Sequence, residues 1–70
     1  MASPLRQSRV YAIEQHLKSH VLMLTEELNI FFDHAVGIAA DKSYFEAVED
    51  KLCELAEYEG ALEALKRHFE

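Results

Sequence analysis

Apolar side chains recur at steps of three and four through the first half of the chain: Val10, Ile13, Leu17, Val21, Leu24, Leu28, Phe31 and Ala35. That spacing draws a stripe along one face of an α-helix. Ser3 followed by Pro4 supplies a hydroxyl at the N-cap and a proline at the first helical position. A helix is therefore predicted over about 4–34, roughly 46 Å long at 1.5 Å per residue. The period then fails from Val36 to Lys42, and Gly37 falls where a helix-ending residue adopts a left-handed backbone. This predicts a turn over about 35–43. Ser43 and Glu46 fit the capping-box pattern that opens a second helix over about 44–69.

In the second helix Phe45, Val48, Leu52 and Leu55 form the stripe, continued by Tyr58, Leu62, Leu65 and Phe69. The short step from Leu55 to Tyr58 reads as a local stammer that rotates the seam. Lys66, Arg67 and His68 sit in the last turn, where the helix dipole favours positive charge. Gly60 has two readings: a tolerated helix glycine, or a place where another backbone approaches closely. A short turn between two long amphipathic helices gives an antiparallel hairpin. The fold class is all-α, a two-helix hairpin that completes a bundle with a partner or a second copy.

Size sharpens that expectation. Seventy residues, half of them apolar and 29% charged, make one small domain. Such a domain hides only about 60% of the surface its unfolded chain exposes. Cys53 is the single cysteine, so no internal disulfide adds stability, and the usage suits a reducing cytoplasm. The N-terminal residues carry two arginines with no apolar stretch behind them, unlike a signal peptide. Val21–Leu24 is the longest aliphatic run in the middle of the chain, against the roughly 20 residues a bilayer span needs. A cytoplasmic protein without membrane partners is expected.

The formal charge is -6, and it is uneven. Residues 1–40 carry three basic and four acidic groups, residues 41–70 four basic and nine acidic. Phosphate backbones repel such a surface, which disfavours nucleic-acid binding. The excess acid serves solubility, with mimicry of DNA as the sharper alternative. Glu46, Asp50, Glu54 and Glu57 line one face of the second helix, which is either its wet side or a guide for a basic partner.

Candidate chemistry is sparse. His16 and His20 are spaced to share a helix face, with Glu27 and His34 further along, a set whose side chains suit zinc. The Glu-x-x-His pattern of di-iron bundles is missing, and no metal site is expected. Cys53 lies among Asp50, Glu54 and Glu57, which oppose a reactive thiolate. Ser8, Ser19 and Ser43 have no nucleophile elbow around them, and no glycine-rich phosphate loop is present. Neither catalysis nor a cofactor is expected.

Surplus apolar surface is the informative feature. Beyond its main stripe the first helix carries Leu5, His16, Met23, Ile30 and His34 on a second line, with Tyr11, Leu22 and Phe32 elsewhere. Two helices cannot hide all of this, and exposed apolar patches mark interfaces. The partner-binding set is read as Leu17, Met23, Leu24, Ile30 and Phe31 with Leu52, Leu55, Tyr58, Leu62 and Leu65. Aspartate at Leu17 or Leu52 is expected to abolish folding by placing a charge in the seam. Glutamate at Met23 or Ile30 is expected to spare the helices and break association. A homodimeric four-helix bundle, acting as a regulator or inhibitor through its acidic face, accounts for the surplus as well as a dedicated partner does.

Tyr44 just after the turn and the segment Tyr58-Glu59-Gly60-Ala61-Leu62, with Leu65 behind it, carry a likeness over residues 41–66. In these residues the chain resembles the small co-chaperones of type III secretion needle subunits. The resemblance implies a helical hairpin that pairs with a helical-repeat chaperone. Together the two keep the needle subunit unpolymerised in the cytoplasm. It also implies that the helix stripes are the docking surface and that no residue is catalytic.

Overall fold

A computed structural model describes residues 3–34 and 42–70, and within them two helices, α1 (Pro4–His34) and α2 (Lys42–Phe69). They lie antiparallel in a rod of 56 × 16 × 13 Å. The all-α hairpin expected from the sequence is the observed fold. Residues 35–41, including Ala35 and Gly37, lie outside the described residues.

The start of α1 follows local chemistry. Ser3 Oγ accepts a hydrogen bond from the Arg6 amide at 3.1 Å, and the Ser3 carbonyl accepts the Gln7 amide at 3.0 Å. Ser3 is thus a true N-cap, with Pro4 at a position whose missing amide costs nothing. At the second helix the expectation needs correction. Lys42 and Ser43 are already helical, so Ser43 lies inside the first turn rather than capping it. Glu46 reaches back to Lys42 instead, at 3.8 Å.

Four contacts set the register between the helices. The Tyr44 hydroxyl donates to the Phe31 carbonyl at 3.1 Å. Lys51 meets Glu27 at 2.7 Å, and the His20 ring stacks on Tyr58 with centroids 4.3 Å apart. Lys66 approaches Glu14 at 3.9 Å. Phe31 is therefore level with Tyr44, Glu27 with Lys51, His20 with Tyr58 and Glu14 with Lys66.

The inward residues alternate steps of four and three without interruption: Val10, Glu14, Leu17, Val21, Leu24, Leu28 and Phe31 on α1, Tyr44, Val48, Lys51, Leu55, Tyr58, Leu62 and Leu65 on α2. This heptad seam is the geometry of two helices packed as in a coiled coil. It corrects the expected stripes in two places. Glu14 takes the place read for Ile13, which is 52% exposed, and Lys51 takes the place read for Leu52, which is 46% exposed. Phe45 and Phe69 also face outward. With Lys51 in the seam no stammer exists, because the step pattern of α2 is regular throughout.

Both polar intruders are satisfied at the seam edge. Lys51 lays its aliphatic stem along the seam and carries its ammonium to Glu27. The Glu27 carboxylate beside it raises the Lys51 ammonium above its ordinary range. Glu14 receives Lys18 at 3.0 Å and Lys66 from α2. The Lys18 hydrogen bond is the main cause that lowers the Glu14 carboxyl below its usual value. The seam is otherwise thin: among the described residues only Leu24, Leu28 and Val48 are buried, at 5%, 5% and 7% exposure.

Gly60 resolves to the first of its two readings. A side-chain carbon added there meets nothing within 4 Å. Gly60→Ala is therefore expected to stabilise the hairpin by about 0.5–1 kcal/mol, since alanine removes backbone entropy from the unfolded chain. Thermal melts of the two proteins check this, and an unchanged or lower midpoint contradicts it.

Candidate protein-binding surface

Among the described residues, ten large apolar side chains face solvent: Leu5, Tyr11, Ile13, Leu22, Met23, Ile30, Phe32, Phe45, Leu52 and Phe69. Seven of them belong to α1, so apolar groups run around its circumference rather than along one stripe. A helix of that kind is normally covered on more than one side. The outer side of α2 differs, being dominated by Glu46, Asp50, Glu54, Glu57 and Glu63, all exposed.

The expected binding residues separate into two groups. Leu17, Leu24, Phe31, Leu55, Tyr58, Leu62 and Leu65 turn toward the other helix and build the hairpin itself. Met23, Ile30 and Leu52 turn outward and are free to meet another molecule. Phe32 and Phe45 join that exposed group; Phe32 was legible as apolar area off the main stripe, whereas Phe45 reads from the sequence as part of the α2 stripe.

The exposed residues fall on two flanks of the seam. In an antiparallel pair, equivalent heptad positions of both helices lie on the same side. Residues one after a d position form the first flank: Tyr11, Lys18, Thr25 and Phe32 from α1, Phe45, Leu52, Glu59 and Lys66 from α2. Leu22 lies beside them. Thr25 turns its hydroxyl back to the Val21 carbonyl at 2.8 Å, which leaves its methyl group outermost. An open groove of about 370 Å³ on this side is lined by Val21, Glu59, Leu62, Glu63 and Lys66. The second flank carries Ile13, His16, His20, Met23 and Ile30 of α1 beside Asp50, Glu54 and Glu57 of α2.

The other sites read from the sequence gain little from the fold. His16 and His20 bring their rings within 4.7 Å, but His20 is stacked on Tyr58 and Glu27 is engaged by Lys51. No three metal-ligating side chains converge among the described residues. The His34 side chain lies outside the description. Cys53 is exposed on the outer side of α2. A cleft of about 230 Å³ at the open end of the hairpin involves Arg6, Val10, Tyr11, Glu14 and Phe69. There, desolvation and the neighbouring Glu14 raise the Glu70 carboxyl above its ordinary value. No described helix is long and apolar enough to cross a membrane.

No family model matches the chain, and no curated protein or solved structure matches it.

Proposed function

We propose that this chain works by binding protein, as a non-enzymatic helical hairpin whose exposed apolar side chains are covered by a partner. The observation that carries this reading is the set of ten large apolar residues that, among the described residues, lie exposed beside a seam with only three buried side chains. A domain so small gains much of its stability from what covers it. In the terms of the family it resembles, the partner is a helical-repeat chaperone and the client a needle subunit held unpolymerised in the cytoplasm. Concave helical-repeat surfaces suit an amphipathic rod.

The test is direct. The purified hairpin is expected to bind an environment-sensitive apolar dye, and dye binding is expected to fall when Met23 and Ile30 are both changed to glutamate. A protein that binds no dye, with helicity intact, overturns the binding reading. A second reading, a homodimeric four-helix bundle, draws support from the composition of the first flank.

A further inference from the structure

We infer that the first flank is the seat of a second copy of this chain, and that two hairpins pair about a two-fold axis parallel to their length. The inference rests on the protein-binding reading and names the surface and the occupant. A two-stranded hairpin needs apolar residues at a and d alone, whereas a four-helix bundle needs a third apolar position beside them. Here that third position is filled at Tyr11, Phe32, Phe45 and Leu52, all exposed.

Registry then decides the partner. With Phe31 level with Tyr44 and His20 level with Tyr58, Phe32 is level with Phe45, Thr25 with Leu52, and Lys18 with Glu59. A two-fold axis along the rod sets α1 of one copy over α2 of the other, antiparallel and at the same level. Each level pair then repeats across the interface. Phe32 and Phe45 of both copies form a layer of four phenylalanines at the level where α1 finishes and α2 begins. The next layer holds Leu52 and the outward methyl of Thr25. Lys18, which bonds Glu14 of its own chain at 3.0 Å, comes level with Glu59 of the second copy, so opposite charges face each other there although each chain carries -6. Leu22 falls opposite Ala56, a large side chain against a small one. No like charges are opposed at these levels.

The same operation on the second flank fails. It sets Glu27 level with Asp50 and Met23 level with Glu54, so acids meet acids and apolar groups. The area is of the right order. Leu22, Phe32, Phe45 and Leu52 offer roughly 100 Å² each, about half of the ~800 Å² that each partner buries in a standard interface. The polar layers and the groove beside Val21 supply the remainder.

Sedimentation velocity on the full chain tests the pairing. Wild type is expected at twice the 8.1 kDa chain mass. Leu22→Glu is expected to raise the dissociation constant about thirty-fold or more, with helicity unchanged because the side chain is 64% exposed. Met23→Glu, on the other flank, is expected to leave the mass unchanged, which corrects the sequence-based expectation that it breaks self-association. Should Leu22→Glu lose its helices, Phe32→Glu serves instead: that side chain is 58% exposed and outside the hairpin seam, and its replacement should weaken the dimer likewise. A monomer at about 100 μM, a higher oligomer, or dissociation by Met23→Glu but not by Leu22→Glu overturns the pairing. A monomer that still binds the apolar dye sinks the pairing alone, and one that binds none sinks the protein-binding reading with it.

Discussion

Leu24→Asp is expected to leave the hairpin unfolded at room temperature. Leu24, 5% exposed, is one of three buried side chains among the described residues and lies toward the middle of the seam. Truncating a buried leucine to alanine already costs about 2–5 kcal/mol. A single core of this size rarely supplies more than about 3–5 kcal/mol in total. Aspartate adds the cost of desolvating a charge in a seam whose nearest cation, Lys51, is already held by Glu27. Leu52→Asp provides the contrast, because Leu52 is exposed and its replacement removes little packing within one hairpin. Far-ultraviolet circular dichroism of both variants is the measurement. A helical Leu24→Asp protein, or a Leu52→Asp protein that has lost its helices even when monomeric, contradicts the seam described above.

Tyr58→Ala is expected to destabilise the hairpin by about 2–4 kcal/mol, a large share of what it has. The Tyr58 ring lies parallel to that of His20, with 3° between the planes and centroids 4.3 Å apart. His20 in turn touches His16. Alanine removes both the apolar area and a stacked pair worth about 0.5–1.5 kcal/mol beyond it. Tyr58→Phe keeps the ring and is expected to change stability by less than about 1 kcal/mol. A double-mutant cycle with His20→Ala isolates the stacking, since the two residues are in contact and their effects should not add. Additive losses in urea melts show that the stack contributes nothing.

The two variants probe different depths of the same seam. Leu24 acts through burial, with the Lys51–Glu27 pair one turn away along the seam. Tyr58 lies nearer the open end, where Glu14, Lys18 and Lys66 take over from apolar packing. Polar seam positions thus occur in both halves of the hairpin, Lys51 with Glu27 in one and Glu14 with Lys18 and Lys66 in the other. The proposed pairing with a second copy runs from a phenylalanine layer to an ion-pair layer.

The chain's local pattern alone was enough to specify two helices, the N-cap at Ser3, the basic last turn of α2 and an antiparallel hairpin. Each depends on residues within a few positions of one another, and such effects act wherever the segment is found. The surplus of apolar surface on α1 was also legible, because counting large apolar residues against one stripe requires no partner. The phase of the seam was not. Leu52 reads as core and Lys51 as surface until α1 is in place. Then Glu27 holds the Lys51 ammonium at 2.7 Å and the lysine stem fills the inward position. Glu14 displaces Ile13 in the same way, through Lys18 beside it and Lys66 from the far end of the chain. A charged side chain counts as outward only until something distant in the sequence neutralises it. Which of two neighbouring residues turns inward was therefore settled by the facing helix.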